Sequence, residues 1–338
     1  MRILIVGEFS GLGKSFVEGF KKEKNNVVFH LSSSDGYKAI IERPWFMKNR
    51  YIDYVLLIYQ ALILLTKKFD LILWLSPFVF KYPLKLNILL NKLLIKKSNS
   101  NIYYSCTSDS VYWNNYPSNT DRYPLKGFLQ DTNLIPHRNS KPKYYDYNIQ
   151  FISMMNKVYC CSEEYFQVYN QIIDTKIIRY PIIISEKLEN KNELENLFFH
   201  GVTRKGIKGT DEILNLAKKY SIDVTVKKQL KYSEFMNELD KTGVYLDQFN
   251  SHYPGMAALI ALQKVYYVYT GFRSDLIKDQ NYLKDCPLKD IRELKYYSKE
   301  NLDLSQDRLS KNYKFLKKWH DPLKIVNELI NDLNFSNE

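Results

Sequence analysis

Only four cysteines occur among the 338 residues: Cys106, Cys160, Cys161 and Cys286. Their number and irregular spacing exclude a disulfide framework and the paired spacings of a zinc site. Cys160 and Cys161 sit in the apolar run Val158-Tyr-Cys-Cys, where buried free thiols are expected. The five histidines, His30, His137, His200, His252 and His320, show no metal-ligand spacing either. Long apolar runs are also missing, since none reaches the ~18 residues that a spanning helix requires. The opening Met1-Arg-Ile-Leu-Ile-Val-Gly reads as a strand at once rather than as the h-region of a signal peptide. A cytoplasmic chain, at most peripheral to the inner membrane, is the expectation.

What is abundant is positive charge, with a formal net value of +12. Such a balance points to nucleic acid, anionic lipid or a phosphorylated small molecule, or simply to a solvated basic surface. Nucleic acid is set aside, because the chain holds no long Arg/Lys block, no zinc-finger spacing and no RNA-binding aromatic signature. An apolar fraction of 45% and a charged fraction of 25% fit an ordinary globular protein, and the length fits two domains.

Short apolar runs alternate with helix-length stretches along the whole chain. Arg2-Ile-Leu-Ile-Val reads as a buried parallel strand, Phe16 and Phe20 open a helix, and Asn26-Val-Val-Phe-His is a second strand. Helices are expected over 51–67 and 84–97, with strands at Phe69-Asp-Leu-Ile-Leu-Trp-Leu and Asn101-Ile-Tyr-Tyr-Ser-Cys. The region 107–147 has little periodicity and is expected to form a lid or short irregular helices. Strands at 157–161 and 176–182 close this half. A polar linker over 184–196 precedes a second alternation of the same kind. The fold class is therefore α/β, with one Rossmann-like domain over 1–185 and a second over 186–315. A C-terminal helix over 316–338 is expected to return to the first domain.

Three loops at expected strand ends carry the chemistry. Gly7-Glu-Phe-Ser-Gly-Leu-Gly-Lys-Ser fails the P-loop spacing because Glu8 stands where the first glycine is required. It also lacks the third glycine of a dinucleotide turn, so it reads as a strand-to-helix turn whose amides approach a ligand, or as a tight turn only. Ser10, Gly11, Leu12 and Gly13 are its candidate contacts. The second loop, Phe199-His200-Gly201-Val-Thr-Arg204-Lys205-Gly206-Ile-Lys208-Gly209-Thr210, combines glycines and cations before a helix. Arg204 offers a bidentate fork and Lys208 a point charge, which suits a diphosphate. A solvated basic loop is the plain alternative. The third, Asp247-Gln248-Phe-Asn250-Ser251-His-Tyr-Pro-Gly255-Met256-Ala257, places hydrogen-bonding side chains before a small-residue helix. They suit sugar or ribose hydroxyls, although Asn250 and Ser251 equally suit a helix cap. In the first half, Asp109 of Asp109-Ser-Val-Tyr-Trp reads as a base or acceptor ligand, or as a turn-forming residue.

Taken together, these motifs resemble the retaining GT-B glycosyltransferases of bacterial surface-polysaccharide assembly. The likeness runs in order from Arg2-Ile-Leu-Ile-Val-Gly-Glu-Phe-Ser-Gly-Leu through the Asp109, 199–210 and 247–256 motifs to Trp319-His320-Asp321. It implies two Rossmann-like domains facing each other across a cleft, with the nucleotide-sugar donor held by the second and a glycan or lipid-linked glycan acceptor by the first. It further implies that Arg204 and Lys208 hold the donor diphosphate, with His200, Gly201, Gly209, Asp247, Gln248, Asn250, Ser251, Gly255, Met256 and Ala257 completing the donor site. No metal and no cofactor are expected beyond the donor itself. The family's two glutamates, eight positions apart, are replaced here by His252 and Ile260, so nucleotide contact must differ. The expected activity is transfer of a sugar to a capsule, O-antigen or exopolysaccharide glycan. The alternatives are a degenerate scaffold subunit and a nucleotide-sugar epimerase of the same architecture. The basic segment 85–97 is expected either to dock on anionic lipid or to be a core helix with a wet face.

Overall fold

The computed structural model describes residues 1–23, 25–32, 50–78, 84–106, 109–116, 142–186, 188, 191, 193–203, 205–295 and 299–334. The chain forms two compact units. The first begins with β1 (Arg2–Val6), α1 (Leu12–Lys22), β2 (Val27–Leu31), α2 (Arg50–Leu65), β3 (Phe69–Trp74), α3 (Leu84–Ile95) and β4 (Ser98–Ser105). It continues with α4 (Ser110–Asn115), α5 (Pro142–Ile152), β5 (Lys157–Cys160), α6 (Glu163–Tyr169) and β6 (Thr175–Ile177).

All pairings in this six-stranded sheet are parallel, in the order β2-β1-β3-β4-β5-β6. Ile3, Leu4, Ile5 and Val6 are all fully buried, which is what a continuous apolar run becomes when helices cover both faces of a sheet. α1 buries Leu12, Phe16 and Phe20 at helical spacing. Burying each of the two phenylalanines contributes roughly 1.5–3 kcal/mol. Phe16 also meets Tyr104 edge to face, with ring centroids 5.1 Å apart. The cysteines 160 and 161 are free and buried.

The second unit comprises β7 (Asn196–Val202), α7 (Lys205–Lys208), α8 (Thr210–Lys219), β8 (Val224–Lys228), α9 (Tyr232–Asp240), β9 (Thr242–Leu246), α10 (Met256–Ala261), β10 (Tyr267–Thr270), α11 (Gln280–Asp285), β11 (Lys289–Asp290) and α12 (Gln306–Trp319). Its sheet is again wholly parallel, in the order β11-β10-β9-β7-β8. Phe198, Ile213, Ala217, Val244 and Leu246 centre its core.

The last helix, α13 (Pro322–Asn334), belongs to the first unit, whereas α12 stays with the second. Asp332 fastens α13 to the sheet edge. It accepts from Lys157 Nζ at 2.8 Å, Tyr159 Oη at 2.9 Å and Lys176 Nζ at 2.9 Å. Burial alone would raise its carboxyl pKa, but the three donors override that and bring it down to about 2. Of the unperiodic region 107–147, both ends are helical, as α4 and α5. Residues 117–141 lie outside the described residues.

No helix among the described residues is long and apolar enough to cross a membrane. No cluster of three metal-ligating side chains occurs among them.

Candidate functional site

A doubly wound sheet offers a ligand crevice where the strand order reverses, at the carboxyl ends of the two strands flanking that point. In the second unit the chain runs from β7 outward to β8, then returns to place β9 on the other side of β7. The reversal lies between β7 and β9. The loops leaving these two strands are 203–209 and 247–255, the two motifs singled out in the sequence.

The two loops are tied to each other by main-chain and side-chain bonds. Phe249 N donates to Lys208 O at 2.9 Å, and Asn250 Nδ2 donates to Gly206 O at 3.0 Å. Gly209 adopts φ +63°, and a Cβ there would lie 2.5 Å from Phe249 Cβ. Only glycine meets both conditions without strain. The loop after β10 joins them, since a Cβ on Gly271 would fall 1.9 Å from Ser251 O.

Beneath this junction lies a buried polar cluster. Lys208 Nζ donates to Asp247 Oδ1 in an ion pair. Asp247 is fully buried and also accepts from Tyr245 Oη at 3.2 Å and from Thr270 Oγ1 at 3.5 Å. His200 is equally buried, with Nδ1 2.8 Å from Leu246 O and Nε2 3.1 Å from Thr210 Oγ1. Burial pushes its pKa down to about 4, against the hydrogen bond to Leu246 O; the nearby Lys208 charge lowers it further and Asp247 opposes that. The ring is therefore neutral at pH 7, donating through Nδ1 to the carbonyl and accepting from the threonine hydroxyl at Nε2.

The predicted donor residues fall into two layers. His200, Gly201, Lys208, Gly209, Asp247 and Asn250 are buried. Gln248, Ser251, Gly255, Met256 and Ala257 are half-buried. Gln248 Nε2 and Ser251 Oγ both bond Tyr253 O, at 3.1 and 2.8 Å, which holds the turn in shape. Arg204 lies outside the described residues. His252 and Ile260, which stand where the resemblance leads one to look for glutamates, are both buried. Sequence reasoning missed Tyr245, Thr270 and Gly271. The glycine directly after the β10 strand end was the available signal for the last two.

The first unit has its own reversal point, between β1 and β3. There the helix N-terminus is already occupied. Glu8 Oε1 accepts from Gly11 N at 2.9 Å and Gly13 N at 3.3 Å, and Oε2 accepts from Lys14 N at 3.0 Å. A carboxylate of the chain itself thus answers the positive end of α1, in the place where a phosphate sits in nucleotide-binding turns. Of the four predicted acceptor contacts, Ser10 is exposed, whereas Gly11, Leu12 and Gly13 are buried. Leu12 is a core side chain.

Asp109 is also committed inside the protein. It caps α4, with Oδ1 accepting from Val111 N at 3.0 Å and Tyr112 N at 3.1 Å. Oδ2 accepts from Tyr103 Oη at 2.5 Å and from Tyr169 Oη. Burial raises its pKa, and those four donors oppose the rise. Between its two sequence readings, the geometry supplies that of a turn-forming cap.

No known family model matches the chain, and no curated protein is a significant relative. Among solved structures it is similar to the sucrose-phosphate synthase of Thermosynechococcus elongatus, with 10% identity and a TM-score of 0.49 over 100% of both chains. It is similar to S. aureus TarM in a complex with fondaparinux, α-GlcNAc-glycerol and UDP, with 15% identity and a TM-score of 0.45. That match covers 77% of this chain and 54% of the other, so the chain spans about half the length of TarM. It is also similar to the calicheamicin glycosyltransferase CalG4, with 9% identity, a TM-score of 0.41 and 98% of each chain covered. The chain is an α/β protein of two wholly parallel, Rossmann-like sheets.

Proposed function

We propose that the chain transfers a sugar from a nucleoside-diphosphate donor to a growing surface glycan carried on lipid. The observation that carries this reading is the convergence of the 203–209 and 247–255 loops at the β7/β9 reversal, with Lys208 held by Asp247 beneath them. Lys208 has three donor hydrogens, and the pair with Asp247 needs one. Among the described residues nothing else accepts from its Nζ, and the other two would meet the β-phosphate as the glycosidic bond to it breaks and negative charge develops there. Arg204, assigned by resemblance, would share that charge as a bidentate partner.

His200 keeps the two strand ends in register and, being neutral, adds no charge of its own. Gln248, Ser251 and the Gly255-Met256-Ala257 turn form the rim that meets sugar and ribose. In the first unit the Glu8-filled turn repels a phosphate, which favours a neutral glycan hydroxyl near Ser10 as its ligand. Retention at the anomeric carbon follows from the resemblance.

A second reading has one observation in its favour. The buried Ile260 cannot supply the carboxylate that family members set against ribose, which suits a scaffold subunit without transferase activity.

A thermal-shift panel of nucleoside diphosphates and their sugars distinguishes the two. The transferase reading expects a rise in melting temperature with one nucleotide family, lost in Lys208→Met and in Arg204→Ala. No rise with any nucleotide, with or without a glycolipid extract, favours the scaffold.

A further inference from the structure

The outward faces of α2 and α3 are apolar where a solvated helix is polar. On α2, Val55, Tyr59, Leu62 and Ile63 recur at the spacing of a single helix face, and on α3 Leu89 and Leu93 do the same. All six are between 39% and 63% exposed. Lys85 and Lys92 are exposed on α3, and Lys96 is exposed directly after it. The inward side of that helix buries Leu90 and Leu94 together with Asn87 and Asn91, which both donate through Nδ2 to Pro77 O, at 2.6 and 2.7 Å. α3 thus carries leucines on both sides: two face the protein beside the asparagines, and two face out among lysines.

The two helices form one surface. The connections β2-α2-β3 and β3-α3-β4 both step across the sheet in the same direction. Right-handed crossovers therefore put both helices on one face of the sheet, where they touch each other. α1 and α13 pack together in the same unit, and α1, whose connection steps the other way, covers the opposite face. The two segments are mostly positive in charge. Residues 50–68 and 84–97 carry Arg50, Lys67, Lys68, Lys85, Lys92, Lys96 and Lys97 against one acid, Asp53.

We infer that the α2/α3 face docks on an anionic lipid bilayer. Leucine, isoleucine and tyrosine side chains would enter the headgroup boundary while the interleaved lysines pair with lipid phosphates. A second copy of the chain fits this face poorly, because a twofold contact would set its lysines against themselves. The inference does not rest on the transfer reaction, since docking needs neither donor nor acceptor.

Vesicle flotation tests it, using phosphatidylcholine alone and phosphatidylcholine with phosphatidylglycerol. The full chain is expected to float with the anionic vesicles and to stay largely unbound with the neutral ones. Lys85→Gln/Lys92→Gln/Lys96→Gln and Leu62→Ser/Leu89→Ser/Leu93→Ser should each weaken partitioning about tenfold or more. All six positions are exposed, so both variants should keep the wild-type melting temperature. Failure to float on either vesicle overturns the inference, as does equal flotation on both or wild-type flotation of either variant. A concentration-dependent dimer in light scattering, lost in the leucine variant with no flotation, would assign the face to a second copy instead.

Discussion

Lys208 and Asp247 form a buried ion pair across two loops separated by 39 positions in the sequence. Removing one partner of such a pair strands the other charge without water, at a cost of about 3–5 kcal/mol. Lys208→Met is expected to lose stability on that scale in urea denaturation. Asp247→Asn should lose less, because the amide still bonds Tyr245 and Thr270. With Asp247→Leu as the second single variant, the double variant Lys208→Met/Asp247→Leu should lose less than the sum of the two, a favourable coupling in a double-mutant cycle. Additive losses would show that the pair is not a unit.

His200 gives the protein an acid-sensitive window. Its ring has a pKa near 6.5 unfolded and about 4 folded. Between these values the unfolded chain binds the proton and the folded one does not. Stability is therefore complete above pH 6.5 and falls as the pH drops toward 4, by up to about 3 kcal/mol. His200→Gln should remove that part of the slope. Asp332, depressed to about 2, adds a loss only at lower pH, below its unfolded value of 3.8. Asp290, raised to about 6 by burial, opposes this slope in the same window, so the variant is the reference: equal slopes for wild type and His200→Gln between pH 6.5 and 4 would contradict the buried neutral ring.

Asp109 separates a structural carboxylate from a catalytic one. Asp109→Ala removes an N-cap and the acceptor of two buried tyrosine hydroxyls, and should cost about 2–3 kcal/mol. Asp109→Asn retains a good cap, so its turnover should stay within about tenfold of wild type, whereas loss of a general base costs about 10²–10⁴. A folded Asp109→Asn protein that had lost turnover on that larger scale would return Asp109 to the reaction.

Gly209→Ala forces a left-handed backbone on alanine and drives its Cβ into Phe249. The strain alone is about 1–2 kcal/mol, and relief of the contact must separate the 203–209 and 247–255 loops. Weaker nucleotide response together with a lower melting temperature is the expected outcome. An unchanged nucleotide response would uncouple loop junction from donor site.

Much of this fold was legible in the sequence, for a physical reason. In the strands Arg2–Val6 and Phe69–Trp74, residues 3–6 and 71–74 are buried on both faces, so they appear as unbroken apolar runs. α6 was not legible, because its buried first turn is charged. Glu163 is matched there by Arg179, sixteen residues on, with both bonds 2.6 Å long. α3 was legible as a helix, but its facing was not. Beside Leu90 and Leu94, the buried side holds two asparagines whose partners, Pro77 O and Tyr147 Oη, are brought to them only by the fold. The loops 203–209 and 247–255 stood out because glycines, cations and small polar residues cluster at expected strand ends. The roles of Glu8 and Asp109 did not, since a carboxylate at a turn looks the same in sequence whether it meets a ligand or the chain's own amides.

Nucleoside-diphosphate release from a panel of nucleotide sugars, with and without a lipid-linked glycan extract, tests the central claim most directly. The account predicts release from one donor, dependent on the extract, with labelled sugar appearing in the lipid fraction. Lys208→Met, checked for folding, should lower that rate by about 10²–10³. No release from any donor, or an altered nucleotide sugar formed without acceptor, would contradict it.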